Sequence, residues 1–242
     1  MKKARIIARL DVKGPNVVKG IQFECLRVMG KPKQMAEEYY LQGADELIYL
    51  DIVANLYRRE NLLNIVNQAS DSIFIPFTVG GGVRTLEDIR ALLRAGADKV
   101  AINTAATKNP QLVHEAAEMF GSQCIVVSIE AKKIADGKWE AFTDNGRQST
   151  SLDVVEWAKK AEELGAGEIL LTSVDQEGTE NGLDYELTKK VSEAVSIPLI
   201  VSGGAGSIGD FSRSFREGKA DAVATASLLH YRKYDVEEIK ES

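Results

Sequence analysis

At 242 residues, 44% hydrophobic and 27% charged, the chain has the size and balance of one soluble α/β barrel with a full core. Its formal net charge of −6 argues against a basic nucleic-acid surface, and no apolar run approaches the ~18 residues that span a bilayer. Cys25 and Cys124 stand at no metal or redox spacing, and Met1-Lys2-Lys3-Ala4-Arg5 lacks the apolar core of a signal peptide, so the cytoplasm is the expected compartment.

Taken in chain order, strands are expected over Arg5–Val12, Glu46–Asp51, Pro76–Val79, Lys99–Asn103, Ile125–Glu130, Glu168–Val174, Pro198–Ser202 and Ala222–Ala226. Segments of helical period separate them, such as Leu62, Ile65, Val66 and Ala69, or Leu112, Val113, Ala116 and Phe120. Gly43, Gly96, Gly121, Gly165 and Gly218 stand where left-handed helix caps need glycine. Asn109-Pro110 reads as the cap and first-turn proline of the fourth helix. Strict alternation over eight units predicts a parallel sheet closed into one (β/α)8 barrel domain, residues 1–242. Two long segments interrupt it. Lys13–Lys31 reads as a lid loop, mobile through Gly14, Gly20 and Gly30, and Ala131–Thr150 as a small hairpin turning at Asp136-Gly137.

Phe77–Val83 matches Leu199–Ala205, and each is followed by a helix-start box, Thr85-x-x-Asp88 and Ser207-x-x-Asp210. Gly80 and Gly203 lie as far apart as Asp98 and Asp221, and Asp11 and Glu130 nearly so, which reads as a duplicated half-barrel. The glycine turns at Gly82 and Gly204 close strands three and seven, and Asn103-Thr104 and Ala226-Ser227 close strands four and eight. Glycine lets a phosphate approach the backbone, so two equivalent copies predict a small molecule phosphorylated at both ends.

Period-two alternation along strand one sends Arg5, Ile7, Arg9 and Asp11 inward and Ile6, Ala8, Leu10 and Val12 toward the helices. Asp11 then faces the equivalent Glu130 midway between the phosphate turns, an arrangement suited to paired acid and base. A lone strand-end acid can simply be solvated or cap a loop; the symmetric pair argues for chemistry. Arg9 lies roughly 6.6 Å below Asp11 and can reach Asp11, Glu130 or Asp51, or curl to a backbone carbonyl. His114 falls in a helix and His230 after strand eight, where it reads as a surface or loop residue, and Trp157 reads as core. Nothing in the spacing points to a metal, a nucleophile elbow or a P-loop, so neither metal nor cofactor is expected.

The motifs Leu10-Asp-Val-Lys13, Val17-Val-Lys-Gly20, Asp45-Glu-Leu47 with Leu50-Asp-Ile52, Val79-Gly-Gly-Gly82, Lys99-Val-Ala-Ile-Asn-Thr104, Gly167–Ser173 and Ser202-Gly-Gly-Ala205 together resemble the cyclase-subunit family of imidazole glycerol phosphate synthase over nearly the full length. The resemblance implies a lyase that joins ammonia to a doubly phosphorylated ribulosyl aminoimidazole carboxamide compound. Its products are imidazole glycerol phosphate and an aminoimidazole carboxamide ribotide. The ammonia comes from a glutaminase subunit docked under the barrel, with Asp98 on the contact face.

By the same resemblance Asp11 and Glu130 are catalytic, and Lys19, Asp51, Gly82, Asn103, Thr104, Thr172, Glu177, Gly204, Ala226 and Ser227 bind substrate. Arg5, Glu46, Lys99 and Glu168 form a charged ring that gates ammonia. The chain departs from the family at Glu130 and Glu177, where aspartate is usual, and at Arg9, where a small residue is usual. Each added methylene shifts a carboxyl by on the order of 1 Å, which can cost roughly a hundredfold in rate. A related barrel serving as ammonia conduit in amidation or amidination of a surface sugar is the alternative function.

Overall fold

A parallel strand covered by helices on one face is apolar there, and inside this barrel the apolar residues form a middle layer between a charged floor and a polar top. The computed structural model describes residues 4–52 and 59–241; the charged start at 1–3 lies outside them. Among the described residues, parallel strands β1 (Arg5–Lys13), β4 (Glu46–Asp51), β5 (Phe77–Gly80), β6 (Lys99–Ile102), β7 (Ile125–Ala135), β10 (Glu168–Ser173), β11 (Leu199–Ser202) and β12 (Ala222–Thr225) pair in succession. The β12–β1 and β7–β10 pairings close the ring, so the fold is the expected (β/α)8 barrel. Ile6, Ala8, Leu10 and Val12 join the outer core with the helices, while Ile7 meets Ile48, Val126, Leu170 and Ile200 inside the barrel. The period-two reading of strand one holds.

At the barrel floor the residue before a strand staples its neighbour. Asp45 accepts from the Ile6 N–H at 2.8 Å, Asp98 from Phe77 at 2.9 Å and Asp221 from Leu199 at 3.0 Å. The duplicated Ala-Asp pair thus has a structural role, fixing register between adjacent strands. Two residues before each of these aspartates the backbone is left-handed, at Gly43, Gly96 and Lys219. The helix ending expected at Gly218 therefore turns at Lys219. A side chain at 218 would instead meet the Ser214 carbonyl at 2.8 Å.

Helix α3 (Leu86–Arg94) starts with the expected box: the Asp88 N–H donates to Thr85 Oγ1 at 3.3 Å and the Thr85 N–H returns to Asp88 at 3.0 Å. Before α8 (Ile208–Arg216), Asp210 likewise accepts from the Ser207 N–H at 2.8 Å. The fourth helical segment differs from expectation. It is split into α4 (Thr104–Lys108) and α5 (Gln111–Phe120), with Pro110 just before α5 and no cap bond from the Asn109 side chain.

The two interruptions are both β-structure. The Lys13–Lys31 segment is a ribbon, β2 (Asn16–Ile21) and β3 (Glu24–Gly30), hydrogen-bonded to the end of β1. Its glycines are not all there for freedom. A Cβ at Gly20 would lie 2.0 Å from the Glu24 carbonyl oxygen and one at Gly30 2.9 Å from Met35 Sδ, so only Gly14 stands in open space. The second interruption extends β7 past the Asp136-Gly137 turn into β8 (Lys138–Thr143), then adds β9 (Gln148–Asp153). Buried Trp139 anchors it, donating to Asp184 at 2.9 Å ahead of α7 (Tyr185–Ala194).

Removing one floor staple tests this account. Asp98→Ala is expected to cost about 1–3 kcal/mol by orphaning the Phe77 N–H, and Asp98→Asn, which keeps an acceptor, to recover most of it. Urea unfolding with an unchanged slope would register the loss as a lower midpoint.

Candidate active site

The glycine turns after β5 and β11 exist because nothing larger fits. Gly81 has φ 105°, and a Cβ there would come within 2.3 Å of the Asp51 carbonyl; Gly204 has φ 106°, with its Cβ 2.2 Å from the Gly182 carbonyl. Each turn opens a space at the C-terminal face. A cavity of about 720 Å³ is lined by Asp51, Gly82, Asn103, Thr104 and Glu130 together with Arg9, Phe23 and Asn145. Across from it a tight crevice is lined by Lys19, Glu177, Gly204, Ala226 and Ser227. Asn103 and Ala226 have similar backbone angles, φ −119° and −127°, and precede the short helices α4 and α9 (Ser227–His230). The two expected phosphate groups of residues are thus separately assembled, with equivalent backbone geometry.

Arg9 occupies the axis between them and is 2% exposed. Its Nε donates to Asp11 Oδ1 at 2.9 Å, and its Nη1 donates to Thr172 Oγ1 and Ser202 Oγ, both at 3.1 Å. Glu177 Oε2 lies 3.8 Å from Nη1. The carboxylate pairing open to strand one is therefore made with Asp11. Thr172, expected among the substrate contacts, accepts from Arg9. Phe23, at the ribbon tip, covers the guanidinium with its ring centroid 5.6 Å from Cζ.

The ribbon is fastened down on the crevice side. Lys19 is buried and ion-paired with Glu177, and the Gln22 N–H donates to the Glu177 carbonyl at 2.8 Å. Burial works against ionising Glu177, but Lys19 and Arg9 outweigh it and hold its carboxyl below the usual range.

Glu130 titrates the other way. Burial pushes its carboxyl up to about 7, against the opposing pull of the Gly146 N–H, the Arg9 charge and the Asn103 side chain. The Gly146 N–H donates at 2.7 Å from the turn between β8 and β9, so the extension positions the acid. Gly146 is itself left-handed, φ 76°, with Val174 2.6 Å from where a Cβ would stand.

The floor ring closes as spaced. Arg5 donates to Glu46 and, at 2.6 Å, to Glu168; Lys99 donates to Glu46 at 2.9 Å and Glu168 at 2.8 Å. Burial opposes charge on Lys99, but Glu168 and Glu46 raise its pKa.

His230 is not a surface residue. It is buried at the end of α9, its ring stacked 5.7 Å from Tyr39 and its Nδ1 2.7 Å from the Tyr39 hydroxyl. Burial lowers its pKa to about 3, so it is neutral at physiological pH. Phe23, Ser202 and Gly146 are site residues that sequence reasoning did not assign. Asn145-Gly146 is a hairpin signal as good as Asp136-Gly137 and was the available clue to the last. Among the described residues no group of three His, Cys, Asp or Glu side chains is placed to hold a metal ion, and no helix is long and apolar enough to cross a membrane.

Residues 5–235 match the family described as "Histidine biosynthesis protein". A curated relative from Legionella pneumophila, "Imidazole glycerol phosphate synthase subunit HisF", is 60% identical over 212 residues, covering 88% of this chain and all of the relative.

The Glu130 environment has a direct readout. Its side-chain carboxyl carbon, followed by NMR, should titrate with a midpoint near 7. Because burial raises this acid, its contribution to stability is full below its unfolded pKa and is lost as pH rises through 7. A midpoint in the ordinary carboxylate range would show that burial does not govern the group.

Proposed function

The chain belongs to the histidine biosynthesis protein family, and on that premise we propose that it is the cyclase subunit of an imidazole glycerol phosphate synthase. It joins ammonia to a doubly phosphorylated ribulosyl aminoimidazole carboxamide compound, and cleavage with ring closure releases imidazole glycerol phosphate and an aminoimidazole carboxamide ribotide. The observation that carries this reading is the pair of equivalent glycine turns on either side of the barrel top, with Glu130 lining the larger cavity and Asp11 beneath it bound to the cavity-lining Arg9.

The two turns hold the phosphates and fix the reacting middle of the substrate over the axis, converting binding into orientation. Glu130, balanced near 7, gives up or takes a proton at neutral pH. Asp11 is its counterpart on β1, with one oxygen held by Arg9. Lys19, on the ribbon, meets the phosphate in the crevice and exchanges Glu177 for it as partner.

Ammonia enters from a glutaminase subunit docked beneath the floor and passes the Arg5–Glu46–Lys99–Glu168 ring into the apolar interior. Leu41 and Phe74, 82% and 78% exposed at the floor rim, give such a partner an apolar footing, and Asp98 is exposed beside them. This chemistry belongs in the cytoplasm.

Complementation of a cell lacking the histidine-pathway cyclase tests the function: the wild-type gene should restore growth without histidine and Asp11→Asn should not, with ammonia-dependent turnover reduced at least ~100-fold. Failure of the wild type to complement, with the protein folded and expressed, would favour the sugar-modifying alternative. For the partner, Phe74→Asp is expected to weaken glutaminase docking and glutamine-dependent turnover while ammonia-dependent turnover persists. Asp98→Lys is the less clean probe, because Asp98 also staples Phe77.

A further inference from the structure

We infer that Arg9 is a specificity-determining residue whose Nη2 amino group holds an oxygen of the ligand between the two phosphate turns. The inference rests on the cyclase reading and adds a substrate contact to it.

Arg9 is held from three directions. Nε is bound to Asp11 at 2.9 Å, Nη1 is shared by Thr172 and Ser202 at 3.1 Å, and Cζ lies over the Phe23 ring, 5.6 Å from its centroid. None of these contacts uses the N–H groups of Nη2. Nη2 forms no hydrogen bond among the described residues, yet Arg9 is 2% exposed and lines the larger cavity. Nη2 is not among the fully buried unpartnered atoms and so faces the cavity, where a ligand oxygen meets a charged donor already oriented by the bonds on Nε and Nη1.

The ribbon tip is built to keep it so. Gln22 and Phe23 both have positive φ, 49° and 63°, a conformation a bulky residue rarely adopts. The strained turn aims Phe23 down onto Arg9 when a Gly or Asn turn would have been easier. The fitting ligand has a hydroxyl or carbonyl oxygen at its waist and phosphates at both ends, as the open-chain ribulosyl portion provides.

Calorimetric titration of wild type, Arg9→Met and Arg9→Lys with the ribulosyl substrate and with inorganic phosphate decides it. Phosphate affinity should be the same in wild type and Arg9→Lys, which keeps the positive charge lining the larger cavity, and in Arg9→Met should fall less than affinity for the ribulosyl compound. Affinity for the ribulosyl compound should fall about 10- to 100-fold in Arg9→Met. Arg9→Lys, which keeps a cation beside Asp11 but has no second amino group, should fall comparably, and it carries the test if Arg9→Met does not fold. Unchanged affinity for the ribulosyl compound in a folded variant would overturn the inference. So would parallel loss of both ligands, which would make Arg9 a purely structural pin. A wild type that binds phosphate but not the ribulosyl compound would instead overturn the cyclase reading itself.

Discussion

A guanidinium sealed inside a barrel must find a carboxylate, since an unpaired buried charge costs several kcal/mol, and at Arg9 that requirement organises the whole upper layer. Its partners come from three strands: Asp11 from β1, Thr172 from β10 and Ser202 from β11. Those partners share one level because the strands are in register, Thr172 opposite Ser202 on one side and opposite Glu130 on the other. A slip of one residue in β10 would turn Thr172 outward and leave Arg9 without that acceptor. The floor staples at Asp45, Asp98 and Asp221 fix register between β1 and β4, β5 and β6, and β11 and β12, while β10 is held by its ladders to β7 and β11.

Charge balance explains why the carboxyls of this layer behave differently. The floor ring has two cations and two carboxylates and neutralises itself. Above the apolar interior, Arg9 is matched by Asp11 and Lys19 by Glu177. Glu130 shares the larger cavity with Asp51 and Asp144, and the Asp144 charge adds to the upward push of burial. Arg9 still attracts it, but with its nearest partner elsewhere that pull does not overcome burial, and the carboxyl rises to about 7. An acid poised at neutrality therefore follows from burial that the nearby Arg9 charge and two hydrogen bonds do not offset.

Much of this was legible in the residues. Strict alternation on strand one separated lumen from helix-facing positions because a barrel strand has two distinct apolar environments. The repeated glycine turns and helix-start boxes marked the two equivalent openings at the barrel top because local backbone chemistry dictates both. What failed was tertiary. Gly20 and Gly30 carry the same letter as a mobile hinge, but here they allow close approach to Glu24 and Met35. The Gln22-Phe23 turn has none of the residues such a turn prefers, so nothing local announces it. His230 is buried by Tyr39, nearly the whole chain away in sequence. Asp98 was read for its place on the floor, and its bond to Phe77 appears only once β5 and β6 are adjacent.

The three departures from the usual family pattern make physical sense as one set. An arginine at position 9 adds a positive charge and a long side chain to the axis, so the surrounding acids must reach around it and not compete for the same nitrogen. At 177 the longer glutamate spans two cations, Oε1 on Lys19 and Oε2 near Arg9 at 3.8 Å. A carboxyl one methylene shorter would have to favour one of them. At 130 the extra length carries the carboxyl to the Gly146 N–H at 2.7 Å, which leaves the Arg9 Nε to Asp11 alone. Arg9, Glu130 and Glu177 therefore act as one set in this chain, with Arg9 setting where both longer carboxyls find their hydrogen-bond partners.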